Sequence, residues 1–212
     1  MTITPNNLKL YLVTDSRYQR EQSIVNQVEK CLKGGVTCVQ YREKNLTYAA
    51  QLVICKALRN LTNTYGVPLI INDNATLAKA VGADGVHLGQ EDGDVKTARA
   101  LLGKDAIIGV SAKTMAHAQK AVADGADYLG VGAVFMTMTK SDAKAIDHSV
   151  LKEITTAVTL PVVAIGGITH KNVALLKHTG ISGVAVVSTL LDQEDQTRAS
   201  REMIQRLEEV IL

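Results

Sequence analysis

The sequence predicts an α/β chain folded as a single (β/α)8 TIM barrel, one domain over residues 1–212. Three observations carry the prediction. Eight short apolar runs alternate with eight segments whose apolar residues recur at helical spacing. The apolar runs are nearly continuous, the pattern of parallel strands covered by helices on their outer face. The repeat is about 25 residues, the size of one unit of this barrel. A doubly wound open sheet is the alternative reading of the same alternation.

Each element has a local reason. After a short polar lead, residues 8–13 (LKLYLV) read as the first strand and run into Thr14-Asp15. Residues 20–33 place Ile24, Val25, Val28, Cys31 and Leu32 at helical spacing, and Gly34-Gly35 stop the helix. The second strand is TCVQYREK, residues 37–44. Thr47 can cap a helix that reaches Tyr65 and stops at Gly66. Pro68 opens the strand PLIIND, followed by a short helix over 74–81 that Gly82 closes. GVHLG, 85–89, is the fourth strand and leads into GQED; a helix over 94–102 ends at Gly103. AIIGVS, 106–111, is a strand, and a helix over 114–124 precedes Gly125. DYLGVGAVF, 127–135, is the sixth strand, and 136–145 is the longest non-periodic segment inside the chain. A helix over 149–158 and the strand PVVAIGGI, 161–168, follow, then a helix capped by Thr169 and ending near Gly180. GVAVVS, 183–188, is the last strand, and the final helix runs from about residue 196 to the end.

Composition excludes several classes of function. Lys and Arg exceed Asp and Glu by 23 − 21 = 2, with no basic run and few aromatics, which argues against nucleic acid as a partner. Cys31, Cys38 and Cys55 lie in apolar surroundings without metal-ligand spacing, as expected of buried reduced thiols in a reducing compartment. The first residues lack a signal pattern, and no apolar run is long enough to span a membrane. The expectation is a cytoplasmic protein with no membrane partner; a homo-oligomer is compatible with the sequence.

In such a barrel the active site lies at the C-terminal ends of the strands. Strand 2 ends in Gln40, Arg42 and Lys44, which strand alternation puts on one face, with Tyr41 and Glu43 on the other. An amide, a guanidinium and an ammonium together suit an anion. Strand 3 ends in Asn72-Asp73, strand 4 runs into Gln90-Glu91-Asp92, and strand 5 ends in Ser111. Strand 6 opens into Thr137, Thr139 and Lys140. Asp73 and Asp92, on neighbouring strand ends, suit Mg²⁺, which keeps waters and is completed by substrate phosphates. Helix N-capping is the competing role for each. Gly166-Gly167 after strand 7, with Val187-Ser188 after strand 8, occupy the recurring phosphate position of this fold. Two anion sites on different arcs of one rim imply two small phosphorylated substrates. A diphosphate held by Mg²⁺, Arg42, Lys44 and Lys140 is a leaving group being neutralised, so the reaction expected is a substitution releasing pyrophosphate. His87 has inward parity and reads as an interior histidine or, alternatively, a ligand or base; Tyr128 reads as packing. The geometry of Glu43 and Glu91 is open.

QYREK, IND, GVHLGQED, GVSAKT, the T-x-T-K of MTMTKSDA, AIGGI and VVS, in this order over almost the whole chain, resemble the thiamine phosphate synthase family. The resemblance implies a (β/α)8 barrel and a transferase of the alkyl- or aryl-transferring class. The reaction it implies joins 4-amino-5-hydroxymethyl-2-methylpyrimidine diphosphate to 4-methyl-5-(2-phosphoethyl)thiazole, or its carboxylated form, in thiamine diphosphate biosynthesis. It puts Gln40, Arg42, Lys44, Asn72, Ser111 and Lys140 on the pyrimidine diphosphate, with Arg42, Lys44, Lys140 and Ser111 as the catalytic groups. It puts Thr137, Thr139, Gly167, Val187 and Ser188 on the thiazole phosphate, and Asp73 and Asp92 on Mg²⁺. The implied chemistry is dissociative: pyrophosphate departs, a pyrimidine-stabilised carbocation forms, and the thiazole nitrogen captures it. The chain departs from the family pattern at Ala133 and Met136, where prolines are common, so a more flexible strand 6 loop is expected. Two rivals remain. A related barrel that isomerises the thiazole would not need Asp73, Asp92 or T-x-T-K. A non-catalytic phosphometabolite-binding barrel would bind without turnover.

Overall fold

The computed structural model describes residues 3–19, 21–136 and 145–211. It is a closed parallel barrel of β1 (Leu10–Val13), β2 (Cys38–Tyr41), β3 (Leu69–Asn72), β4 (Gly85–Leu88), β5 (Ile107–Ala112), β6 (Tyr128–Gly132), β7 (Val162–Ile165) and β8 (Gly183–Val186), each strand pairing with the next in sequence order. β8 closes on β1 with Tyr11 opposite Ala185. The predicted (β/α)8 architecture is therefore the one found, and the open-sheet alternative is excluded.

Strand alternation sorts the side chains into two cores. Leu12, Val39, Ile71, Val86, Ile108, Leu129, Ala164 and Val184 point outward against the helices. Tyr11, Cys38, Ile70, Ile107, Tyr128, Val163 and Ala185 point into the barrel. The three cysteines are free and buried, and burial pushes the thiols of Cys31 and Cys55 up to about 12.

A short helix that the sequence reading misses seals the N-terminal end. Thr4 caps α1 (Pro5–Leu8): its side chain accepts from Asn7 N, and Asn7 Oδ1 accepts from Thr4 N at 3.0 Å. Pro5 sits where a missing N–H costs nothing. Ile3 and Leu8 then plug the interior, so the first strand starts at Leu10 instead of residue 8.

The predicted helices follow their signals closely. Ser23 caps α2 (Ile24–Lys33), which therefore begins later than residue 20. Thr47 caps α3 (Tyr48–Tyr65), Asn74 caps α4 (Ala75–Val81), Asp94 caps α5 (Val95–Leu102) and Thr114 caps α6 (Met115–Asp124). Asp147 caps α7 (His148–Ala157).

Two units depart from prediction. No α-helix follows β7; the chain makes only a 3-10 turn, Val173–Leu176. Thr169, His170, Asn172 and Val173 are poor helix formers. The Asn172 side chain also holds the turn, accepting from Thr169 N at 2.7 Å and donating to Gly167 O at 2.9 Å. The last strand ends at Val186, and Ser188 opens a short helix, α8 (Ser188–Leu191), before α9 (Gln196–Val210).

The N-terminal rim is built by a repeated device. In Gly82-Ala83-Asp84 and Gly125-Ala126-Asp127 a left-handed glycine ends a helix, at φ 63 and φ 87. The following Ala N–H then bonds back into that helix. The aspartate turns into the next strand. Asp84 accepts from Leu69 N at 2.8 Å and from Arg59 at 2.5 Å. Asp127 accepts from Ile108 N and Arg99, both at 2.7 Å.

Candidate active site

The C-terminal rim gathers those residues singled out in the sequence that are described. β2 ends at Tyr41, so Gln40 sits one layer deeper than its two companions. It is 4 % exposed and donates through Nε2 to Tyr11 OH at 2.9 Å. Arg42 is fixed by its backbone: its N–H donates to Thr14 Oγ1 at 2.9 Å, and its carbonyl accepts from the same hydroxyl at 3.3 Å. Its guanidinium stands 4.0 Å from Asp15. Lys44 extends past the strand to within 3.4 Å of Asp73 Oδ2. Glu43 serves the turn itself, its carboxylate accepting from the N–H groups of Lys44 and Asn45 at 2.7 Å each.

Asp15 and Arg17 are the residues that sequence reasoning passes over. Asp15 is 4 % exposed and accepts from Arg17 through its backbone N–H at 3.0 Å, its Nε at 3.0 and 3.2 Å and its terminal nitrogen at 2.6 Å. Burial pulls the Asp15 carboxyl upward. The hydrogen bonds and charge of Arg17, with Arg42 behind it, outweigh burial and hold it below the usual carboxylate range. A cavity of about 190 Å³ is lined by Asp15, Arg17, Arg42 and Lys44 among others. The signal was available: Thr14-Asp15 ends β1, at the rim where every other strand end carries polar groups.

Asp73 and Asp92 do not cap helices. That work falls to Asn74 for α4 and Asp94 for α5. Asp73 instead holds a left-handed backbone, φ 60, an uncommon conformation for a residue with a side chain. Its N–H donates to His87 O at 2.8 Å, which ties the end of β3 to β4. Its carboxylate meets Asn72 Nδ2 and Lys44 Nζ. Asp92 lies on the turn after β4, where its N–H donates to Gly89 O at 3.5 Å. A Cβ on Gly89 would lie 2.2 Å from Asp92 Oδ2, so glycine there makes room for the carboxylate. Among the described residues no group of three His, Cys, Asp or Glu side chains is arranged to hold a metal. Asp73 and Asp92 are hard oxygen donors on adjacent strand ends, the chemistry of an ion that would take its other ligands from phosphate and water.

The interior beneath the rim is polar. Tyr11 OH and Tyr128 OH are 2.8 Å apart, Tyr128 OH is 2.9 Å from His87 Nδ1, and His87 Nε2 is 3.0 Å from Ser111 Oγ. Tyr128, expected only to pack, is therefore a hydrogen-bonding residue, and His87 is an interior histidine as its parity suggested.

The other arc carries the expected glycines. Gly166 and Gly167 are left-handed, at φ 101 and φ 64. A Cβ on Gly167 would lie 2.3 Å from Met136 O, and one on Gly166 would lie 2.5 Å from Ala133 Cβ. The stem of the strand 6 loop is thus packed on these glycines. It is also laddered to β7, with Val134 N donating to Ile165 O at 2.9 Å and Phe135 N to Gly166 O at 3.1 Å. The glycines do not precede an α-helix N-terminus, which corrects that part of the sequence argument. Val187 and Ser188 lie at the turn from β8 into α8. Thr137, Thr139 and Lys140 lie outside the described residues. A larger cavity, about 390 Å³, is lined by outward-facing Leu88 and Val110 with His117 and Lys120 of α6, so it opens on the flank and not into the mouth.

No helix among the described residues is long and apolar enough to cross a membrane. The family model described as thiamine monophosphate synthase matches residues 10–190. A thiamine-phosphate synthase of Clostridium tetani is 47 % identical over 194 residues, 92 % of this chain and 93 % of its own length. One of Methanobrevibacter smithii is 45 % identical over 93 % of this chain and 94 % of its own. The solved structure of thiamine phosphate pyrophosphorylase from Pyrococcus furiosus superposes with a TM-score of 0.90 at 39 % identity, covering 98 % of this chain and 99 % of that one. The chain belongs to the thiamine monophosphate synthase family.

Proposed function

We propose that the barrel mouth is a transferase site that joins a pyrimidine carrying a diphosphate to a thiazole carrying a phosphate and releases pyrophosphate. Family membership supports the overall reaction. The observation that carries the site assignment is the pairing of Lys44 with Asp73, neither of them consumed by a helix cap, beside Arg42 on the neighbouring strand end. Among the described residues Asp73 caps no helix and accepts from no strand N–H, and it stands at the rim in a left-handed backbone.

In this reading Arg42 and Lys44 take the diphosphate, with Lys140 from the strand 6 loop, and their positive charge grows in value as the leaving group gains negative charge. Gln40, Asn72 and Ser111 hold the pyrimidine end. Asp73 and Asp92 would hold Mg²⁺, which when bound would neutralise diphosphate oxygens. Gly167, Val187 and Ser188, with Thr137 and Thr139, take the thiazole phosphate on the opposite arc. No side chain is assigned as a nucleophile. Alignment of the thiazole nitrogen with the departing diphosphate, together with charge neutralisation, supplies the rate. Lys44, now against Asp73, would turn to phosphate when substrate and metal arrive.

The thiazole-isomerising rival leaves the Asp73–Lys44 pair without a purpose. Calorimetric titration of the pyrimidine diphosphate tests the assignment. Binding is expected to tighten at least about 10-fold with Mg²⁺, and Asp73→Ala is expected to abolish that gain. Mg²⁺-independent binding in both proteins would overturn the metal site.

A further inference from the structure

We infer that the buried hydrogen-bond chain Gln40–Tyr11–Tyr128–His87–Ser111 fixes the donor direction of the groups beneath the mouth, and that Tyr128 and His87 are positioning residues for the reaction. This rests on the assignment of Gln40 and Ser111 to the pyrimidine substrate.

The chain crosses the barrel through β2, β1, β6, β4 and β5 in four links of 2.8 to 3.0 Å. It begins and ends on residues of the mouth. Its middle lies in the core, where Tyr11 and Tyr128 are each 1 % exposed or less and His87 is 8 % exposed. The strands have been hollowed to admit it. A Cβ on Gly109 of β5 would lie 2.1 Å from Tyr128 Cζ, and one on Gly130 of β6 would lie 3.0 Å from His87 Cε1. Elsewhere this interior is filled by Cys38, Ile70, Ile107 and Val163. Aliphatic filling of this kind would stabilise the barrel more cheaply than a histidine and two phenols, whose polar atoms must all be satisfied when buried.

Counting hydrogens leaves two self-consistent directions, and the one inferred here runs from Gln40 to Ser111. An amide nitrogen only donates, and a phenol has one hydrogen to give. Gln40 Nε2 donates to Tyr11. Burial keeps both phenols protonated, so each has one hydrogen to give. In that direction Tyr11 gives its hydrogen to Tyr128, and Tyr128 gives its own to His87 Nδ1. A bare Nδ1 puts the imidazole proton on Nε2, which donates to Ser111 Oγ. The Ser111 hydrogen is then left to point into the mouth, so the serine meets substrate as a donor. The Gln40 oxygen, its amide nitrogen committed to Tyr11, is left to meet it as an acceptor.

The test combines ¹⁵N NMR of the His87 ring with steady-state kinetics on the full chain. In the wild type His87 is expected as one neutral tautomer, with Nδ1 bare and the proton on Nε2. Tyr128→Phe is expected to mix the tautomers and lower kcat about 10- to 100-fold. The KM for the thiazole phosphate should change less than 2-fold. Tyr11→Phe is expected to keep the His87 tautomer and raise the KM for the pyrimidine diphosphate. A proton on Nδ1 in the wild type would overturn the direction, and this arm needs no variant to fold. A folded Tyr128→Phe with wild-type kcat would overturn the positioning role. Wild-type protein that releases no pyrophosphate would instead sink the functional assignment, while the NMR result still stood.

Discussion

At the N-terminal rim, Asp84 and Asp127 each accept a strand N–H and an arginine. At the C-terminal rim, Asp15 is likewise filled by Arg17, whereas among the described residues the Asp73 carboxylate meets a side-chain amide and the exposed Lys44, and Asp92 folds against a glycine. The residue types are the same at both ends; what differs is how fully the backbone uses them. A carboxylate that closes a strand-to-strand bond stabilises the fold and has nothing left for a ligand. At Asp73 and Asp92 the capping role has passed to Asn74 and Asp94, which is what the proposed metal role requires. In the proposed reading, stability and function separate according to which aspartates a strand N–H and an arginine engage.

This comparison can be broken by exchanging its terms. Asp92→Ala at the C-terminal rim should lower turnover by about 100-fold or more, since a metal ligand supplies several kcal/mol of charge stabilisation. Its thermal midpoint should stay within a few degrees of wild type. Asp127→Ala at the opposite rim should do the reverse. It strands the Ile108 N–H and costs about 2 kcal/mol, or roughly 4–8 °C in Tm. Specific activity of the folded protein should be kept. Ser188→Ala should weaken the thiazole phosphate several-fold, about 1 kcal/mol for one hydrogen bond, and leave the pyrimidine diphosphate nearly unaffected. Equal losses on both substrates would contradict the two-arc layout. Asp15→Asn gives the smallest effect and sharpens the account most. The folded Asp15 carboxyl sits below its unfolded range, so its contribution is present above about pH 4 and is lost as pH falls through the lower folded value. Acid unfolding curves should show a shallower decline in the variant than in the wild type over that window.

Much of this was legible in the sequence because the controlling signals are local. Thr47 before the α3 pattern, Gly66 after it and the apolar run of PLIIND each act within a turn or two. The strand-end rule also located Arg42, Asp73, Asp92 and Ser111 without any coordinates. Three things were not legible. The α1 plug depends on a Thr-Pro-x-Asn cap too short to register as periodicity. The segment after β7 has apolar spacing compatible with a helix. The Asn172 side chain, bonding back to Thr169 and Gly167, decides it otherwise. The interior chain joins residues as far as 117 positions apart, and only closure of the barrel brings Tyr11 to Tyr128. Parity marked His87 as inward. It could not say that Gly109 and Gly130 had cleared space for His87 and Tyr128.

The central claim is that one rim holds two anion sites that act together with Mg²⁺. It is tested most directly by pyrophosphate release from the purified protein mixed with the pyrimidine diphosphate and the thiazole phosphate, in Mg²⁺ and in chelator. The account predicts release only when both substrates and the metal are present. Release with chelator would contradict the Asp73–Asp92 site, and binding of both substrates without release would contradict the reaction itself.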